Sequence, residues 1–193
     1  MEFKIENTKV YGIEEAILDS GNSFRTEFRD ISDLNEKDYS RASRLGSVAP
    51  GTGHDSFLNG ITVTMNITAP LYWWKQAQRY HWLEFVSSQS TMHCVLKFDI
   101  KKQCVNTVDD RIIDIINELI NKYNETKDDA VWQKIIASLP CGFCLGASMV
   151  TNYRQLKTIC KQRKGHHLKE WKTFIDWCHT LPKFDELTGV END

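Results

Sequence analysis

Helical spacing of apolar residues dominates the second half of the chain, and this periodicity narrows the possible folds more than any other feature. Ile112 and Ile116 fall on one face of a helix that begins near Asp109, and the spacing continues to Tyr123. Pro140 ends the next such segment, because proline cannot continue a helix. The pattern predicts helices over residues 109–123, 129–139, 152–163 and 168–181. The chain is therefore predicted to be rich in helix.

Strand patterns are fewer and shorter. Between Ile61 and Ile67 apolar and polar residues alternate, which is typical of a strand with one buried face, and Pro70 marks its end. Other segments predict strands over 3–5 and 95–100, helices over 13–18, 38–45 and 71–82, and a loop through Gly142 and Gly146. No internal repeat or long linker interrupts the chain. We therefore predict a single α+β domain over residues 1–193, with a polar tail from about Asp185.

The charge balance and the lack of a long apolar run argue against several classes of protein. The 193 residues carry a formal net charge of -2, which gives no global attraction to a polyanion and disfavours a DNA-coating role. No apolar run approaches the roughly 20 residues that cross a bilayer, and no basic start followed by an apolar stretch is present. The 6 cysteines lack the dense spacing of a secreted disulfide scaffold. We expect a cytoplasmic protein with reduced thiols and no membrane or DNA partner.

Two thiols lie three residues apart in the segment from Cys141 to Cys144. Such a pair can form a redox disulfide or hold two corners of a zinc tetrahedron. Zinc needs two more ligands, and no second tight pair follows, although single ligands are available at Cys160, His166, His167, Cys178 and His179. A redox role is weakened because no strand pattern precedes the motif. Buried, reduced cysteines without a metal are the favoured interpretation.

Basic residues cluster between positions 154 and 172 and could meet a phosphate or a phosphodiester chain. At helical spacing one face, typical of a solvated helix, is shared by Arg154, Lys157, Lys161 and Lys164. Arg163 lies about 100° from Lys164 around the helix axis and points away from that face. An arginine that turns inward needs an anionic partner, either a protein carboxylate or a ligand.

A second candidate region follows Pro70. Segment 73–82 mixes tryptophans with basic and amide side chains, and Gln76 and Arg79 lie three residues apart, so both can face one pocket. Segment 87–93 adds hydroxyl and amide groups that suit an anion or a base edge. The alternative is core packing by the tryptophans with ordinary surface polar residues, and the pattern alone does not separate the two.

Taken in order, these motifs resemble the flavin-dependent thymidylate synthases. That family has a His after a loop, a strand, a Gln shortly before an Arg-His-Arg triplet, a Ser-x-Arg-Tyr element, and a late Asn-x-Arg with another Arg about three turns on. The matching positions are His54, strand 61–67, Gln76, triplet 79–81, Ser90 to His93, Asn152 to Arg154, and Arg163. The similarity spans about residues 54 to 171.

The resemblance implies a helix-rich, mixed α/β protomer in a homotetramer. It further implies FAD and deoxyuridine monophosphate at the subunit interfaces, with one carbon supplied by a reduced folate and electrons by NADPH; the flavin performs the electron chemistry and no protein nucleophile is needed. The implied flavin residues are His54, Arg79, His81, Asn152 and Arg154. The implied nucleotide residues are Gln76, Arg79, Ser88, Ser90 and Arg163.

The chain departs from the family pattern within the implied site. Tyr80 and His81 replace the second and third residues of the triplet, Met92 and Ile136 stand where arginines are expected, and Leu58 replaces a Glu. A hydrogen bond to a charged group contributes roughly 1.5–3 kcal/mol, so two missing arginines weaken a phosphate ligand by about 3–6 kcal/mol, or about 10² to 10⁴-fold.

Two functions therefore stay open at the level of sequence. One is an enzyme, a diverged flavin-dependent methyltransferase of the thymidylate synthase type that transfers a one-carbon unit to a pyrimidine nucleotide. The other is a catalytically inactive protein that binds or sequesters a nucleotide on the same fold. The loss of charged side chains from the implied flavin and nucleotide sites favours the second function. Continued use of a nucleotide is favoured by the presence of Gln76, Arg79, Asn152, Arg154 and Arg163.

Overall fold

The computed structural model describes residues 1–191, and within them helices outnumber strands. The strands are β1 (Lys4–Tyr11), β2 (Thr62–Pro70), β3 (Glu84–Ser88) and β4 (Cys144–Asn152). The helices are α1 (Ile13–Asp19), α2 (Glu36–Gly46), α3 (Leu71–Ala77), α4 (Thr91–Cys94), α5 (Ile100–Gln103), α6 (Asp110–Thr126), α7 (Asp129–Ser138), α8 (Tyr153–Arg163), α9 (Lys169–His179) and α10 (Phe184–Thr188). The strands form one small antiparallel sheet in the order β1-β2-β4-β3. The predicted helix-rich α+β class is confirmed.

The chain divides into two units, each with its own internal contacts. The first unit comprises residues 1–4, 66–79 and 85–148, and the second comprises residues 5–65, 80–84 and 149 onward. The prediction of one domain over residues 1–193 stays a prediction, and residues 192 and 193 of the predicted tail lie outside the described residues. Among the described residues, no helix is long and apolar enough to cross a membrane.

The core of the first unit lies where α6 and α7 pack together. It is built from apolar residues of several elements, namely Val95, Ile100, Cys104, Ile113, Ile116, Ile135 and Phe143. Asp109 and Asp128 begin the two helices, since each side chain accepts a hydrogen bond from a first-turn N–H group. The predicted helix is confirmed and Ile116 is buried as predicted, but Ile113 is buried in place of Ile112, which is 40% exposed.

Two predictions for the first unit, at residues 95–100 and 142–146, are wrong. Residues 95–100, predicted as a strand, form a helical turn followed by α5, because the Asp99 side chain accepts the Lys102 N–H and caps a helix there. The predicted loop through Gly142 and Gly146 contains the start of β4. β4 lies between β2 and β3, so backbone hydrogen bonds on both edges outweigh the low strand propensity of Gly146.

The helix predicted over 71–82 ends at Ala77, and the edge strand β3 follows it. Every residue of β3 is exposed, so no alternation of apolar and polar residues marks it in the sequence. The predicted tail from about Asp185 is also partly wrong, because Leu187 and Thr188 of α10 are buried. A side chain at Gly46 of α2 would collide with the Leu187 carbonyl, so glycine allows this close approach.

Helix α8 of the second unit is anchored by a lysine that was predicted to lie on a solvated face. Lys157 is fully buried, and its Nζ lies 2.6 Å from the Gly46 carbonyl oxygen, 2.5 Å from that of Val48 and 2.9 Å from Asp55 Oδ2. Burial lowers the pKa of the Lys157 ammonium, and the hydrogen bond and charge of Asp55 oppose that change. The prediction for Lys157 is wrong because helical spacing cannot show which face meets a buried carboxylate.

Replacing Asp55 tests this ion pair. Asp55→Ala leaves the buried Lys157 ammonium without its counter-charge, and we expect the free energy of unfolding to fall by about 3–5 kcal/mol in urea titrations. Asp176→Ala breaks an exposed pair with Lys172 and should change that free energy by less than about 0.5 kcal/mol. Equal effects of the two substitutions would contradict the assignment.

Candidate functional site

The start of α8 carries two of the implied flavin residues. Asn152 ends β4 and caps α8, since its side-chain oxygen accepts the Gln155 N–H at 2.9 Å. Arg154 lies in the first turn of α8, and its Nε donates to Asp55 Oδ1 at 3.0 Å. About a third of the Arg154 side chain stays exposed. Asp55 thus forms ion pairs with both Arg154 and Lys157, and its single negative charge is shared between the two cations.

His54 lies near the start of α8 because the next residue, Asp55, binds Arg154 of that helix. It is exposed in the turn that precedes Asp55, and Asp55 itself is fully buried. The loop is held because the Asp55 carboxylate binds Arg154 and Lys157 at once. Three of the implied flavin residues, His54, Asn152 and Arg154, are therefore associated with this end of α8.

Arg163 ends α8, about 14 Å along the helix axis from Arg154 at the usual rise per residue. Its Nε donates a hydrogen bond to the Tyr80 hydroxyl oxygen at 2.7 Å. Its guanidinium carbon lies 4.5 Å from the centroid of the Trp171 ring and 5.4 Å from that of Tyr80. The two rings themselves meet edge to face. Arg163 thus points away from the solvated face as predicted, and its guanidinium packs against the Tyr80 and Trp171 rings.

A cavity of about 400 Å³ opens beside Arg163. Its walls come from the last turn of α8, from one face of α9 and from residues 189–191. The wall cations are Lys161, Arg163, Lys164 and Lys172, and the wall carboxylates are Asp176 and Glu191. Positive charge therefore predominates, which suits an anionic ligand.

His166 also lines this cavity but contributes little positive charge. Burial, followed by the nearby charges of Arg163 and His167, lowers the pKa of the His166 ring. Its Nδ1 accepts the Leu168 N–H at 3.0 Å, as an unprotonated nitrogen does. A neutral His166 at pH 7 follows from both observations.

In the first unit, the implied nucleotide residues occupy two segments. Gln76 lies in the last turn of α3, and Arg79 follows it in an exposed turn. Ser88 ends β3 and Ser90 precedes α4. Gln89, the residue between them, forms two hydrogen bonds with Gly146. Its backbone N–H donates to the Gly146 carbonyl oxygen at 2.8 Å, and its side-chain oxygen accepts the Gly146 N–H at 2.7 Å.

The Gln89 contact fixes the backbone from Ser88 to Ser90 against β4. A Cβ atom at Gly146 would lie only 3.2 Å from the Gln89 side-chain oxygen, so a side chain there would crowd this contact. Glycine at position 146 thus permits a close approach rather than breaking the strand.

The positions that depart from the family pattern have different surroundings. Leu58 is fully buried, and Ile136 packs against the core of the first unit, so both contribute to packing. Met92 is 51% exposed, and His81 is exposed beside Tyr80. Tyr80 carries a role that the sequence pattern does not show, because its hydroxyl and ring both contact Arg163.

The thiol motif and the metal hypothesis find no support among the described residues. Cys144 is buried as the favoured interpretation has it, but Cys141 is exposed, so that interpretation is wrong for Cys141; within residues 1–191 neither cysteine forms a disulfide. Within residues 1–191 no three His, Cys, Asp or Glu side chains are grouped so that they could hold a metal ion.

Sequence reasoning missed the acidic and aromatic partners of the candidate residues. Asp55 binds Arg154, and Trp171 packs against Arg163. Asp185 contacts His179 on the cavity wall. Only Asp55 had a local signal, its position next to His54. The other contacts join residues of different helices, which periodicity within one helix cannot reveal.

Comparison with solved structures identifies the fold. A flavin-dependent thymidylate synthase from Helicobacter pylori, solved with FAD and dUMP, superposes with a TM-score of 0.72 at 14% identity over 97% of each chain. A UMP/dUMP methylase, PolB from Streptomyces cacaoi bound with 5-Br UMP, gives 0.68 at 11% identity over 98% of this chain and 95% of that chain. At the level of sequence, no family profile and no curated protein matches. The chain thus has the flavin-dependent thymidylate synthase fold.

The hydrogen bond between Arg163 and Tyr80 predicts how a substitution at Tyr80 changes the free energy of unfolding. Tyr80→Phe keeps the ring but removes the hydroxyl that accepts the Arg163 Nε hydrogen bond, so we expect a loss of about 1 kcal/mol in the free energy of unfolding. Tyr11→Phe at an exposed position should change it by less than about 0.5 kcal/mol. Indistinguishable urea midpoints for Tyr80→Phe and the parent would show that the hydrogen bond contributes nothing.

Proposed function

We propose that this chain is a diverged flavin-dependent thymidylate synthase-like protein that binds a pyrimidine nucleotide. The observation that carries the proposal is Arg163, which lies on the wall of a positively charged cavity in a chain of this fold. Two structural neighbours, by their descriptions, bind uridine or deoxyuridine monophosphates.

The cavity has the size and charge that a nucleotide requires. Small-molecule sites usually enclose roughly 300–1,000 Å³, and this cavity measures about 400 Å³. Arg163 and three lysines supply donors for a phosphate, and Trp171 holds the Arg163 guanidinium in one orientation. A preoriented guanidinium loses less entropy when a ligand binds than a mobile one does.

One-carbon transfer with FAD, NADPH and a reduced folate is the second candidate function. The exposure of the implied flavin residues favours it: His54, His81 and Arg79 are exposed, and Arg154 keeps part of its side chain accessible. These residues fit a flavin, since they offer hydrogen-bond donors to its phosphates, and FAD when bound would supply the electron chemistry. The homotetramer implied by the resemblance and the cytoplasmic location expected from the sequence are part of this proposal.

Substitution of Arg163 tests nucleotide binding. Arg163→Ala should weaken binding of dUMP and UMP by about 1.5–3 kcal/mol in isothermal titration, because a charged hydrogen-bond donor is lost. Urea unfolding of the free variant, measured beside it, separates this effect from the loss of the Tyr80 and Trp171 contacts.

The matched control is Arg44→Ala, which removes an exposed arginine outside the cavity and should leave both affinities at the parent value. If Arg163→Ala binds dUMP and UMP as tightly as the parent, Arg163 does not contact the nucleotide. Gln76→Ala, Arg79→Ala, Ser88→Ala and Ser90→Ala in the same assay examine the first unit's implied residues one at a time.

The visible spectrum separates the two candidate functions. An enzyme of this type should take up FAD stoichiometrically and show flavin absorbance after gel filtration, and Arg79→Ala should lower the bound fraction. A colourless protein that cannot be loaded with FAD but still binds dUMP would reject the enzyme and leave the nucleotide-binding protein.

A further inference from the structure

A histidine and a carboxylate form a pair at the end of α9. His179 is the last residue of α9, and its Nδ1 lies 2.5 Å from Oδ1 of Asp185 in α10. The His179 side chain is only 5% exposed, whereas that of Asp185 is about half exposed. The ring also packs edge to face against the buried Phe184 ring. The imidazole is therefore fixed in one orientation.

The second nitrogen of this ring has no protein partner. Nε2 of His179 is buried, and no hydrogen-bond partner for it exists among residues 1–191. A buried polar atom without a partner is costly, so proteins rarely retain one without a use. His179 also lines the cavity that contains Arg163. A bound molecule in that cavity is the natural source of the missing hydrogen bond.

The Asp185 contact determines what that molecule must offer. An ionised carboxylate only accepts hydrogen bonds, so the Asp185 contact selects the tautomer of the imidazole with the proton on Nδ1, and in that tautomer Nε2 is an acceptor. The ligand must then present a hydroxyl or N–H donor. The lysines and Arg163 on the same walls suit a ligand that also carries an anionic group.

We propose that Nε2 of His179 accepts a hydrogen bond from a sugar hydroxyl or from the base imide N–H of a nucleotide in this cavity, with Asp185 as the positioning residue. This inference rests on the proposed nucleotide binding and names the group that selects the ligand. A phosphate alone fills only the basic part of the cavity, whereas a nucleoside monophosphate also supplies the donor.

Binding of dUMP and two analogues tests the assignment. N3-methyl-dUMP lacks the imide N–H, and 2′,3′-dideoxyuridine monophosphate lacks the sugar hydroxyl. We expect the parent to bind one of these analogues about tenfold more weakly than dUMP in isothermal titration. His179→Phe should bind dUMP about tenfold more weakly than the parent and should no longer discriminate that analogue from dUMP.

Two further variants keep the test decisive. Asp185→Asn changes a half-exposed side chain, and because the Nδ1 proton is no longer enforced, it should reduce the discrimination even if His179→Phe does not fold. His167→Phe, a matched change at an exposed histidine outside the cavity, should preserve both affinity and discrimination.

The outcomes separate the two proposals. If Arg163→Ala weakens dUMP binding while His179→Phe and Asp185→Asn retain the parent's discrimination, the role of His179 is overturned and nucleotide binding stands. Equal affinity of the parent for dUMP and both analogues also overturns the role of His179. If the parent binds neither dUMP nor UMP, nucleotide binding itself fails and the inference fails with it.

Discussion

The buried contact between Lys157 and Asp55 is the interaction on which the second unit depends. The two residues are 102 positions apart in sequence and both are fully buried, so their charges must neutralise each other. The Lys157 ammonium also donates hydrogen bonds to the carbonyl oxygens of Gly46 and Val48. Carbonyl groups at the end of a helix such as α2 have no partner within the helix, so the ammonium supplies one. One ammonium group thereby joins α8 to α2 and to the loop that carries His54.

Helix α8, once anchored in this way, carries candidate binding residues at both ends. Asn152 and Arg154 lie at its start, with Arg154 paired to Asp55, and Arg163 lies at its end between aromatic rings. The environments differ: the first arginine shares the Asp55 carboxylate with Lys157, whereas the guanidinium of the second lies against the Trp171 and Tyr80 rings. Only the second arginine borders the cavity. The proposal for ligand binding therefore concentrates on that end.

Much of the secondary structure could be predicted because its signals are local. Helices α1, α2, α6, α7, α8 and α9 follow apolar spacing and caps that lie within a few residues of each other. β3 and β4 could not be predicted in this way. β3 is exposed along its whole length, and β4 contains Gly146, whose lack of a side chain leaves room for Gln89 of another segment.

The amino-acid sequence by itself determined the helix-rich α+β class, the inward turn of Arg163 and the order of motifs that resembles the flavin-dependent thymidylate synthases. It did so because helical periodicity and motif spacing are properties of one stretch of chain. Only the tertiary structure decided that Lys157 is buried, that Tyr80 and Trp171 hold Arg163, and that Nε2 of His179 has no hydrogen-bond partner among residues 1–191. Each of these depends on segments far apart in sequence, and their contacts exist only after the helices pack.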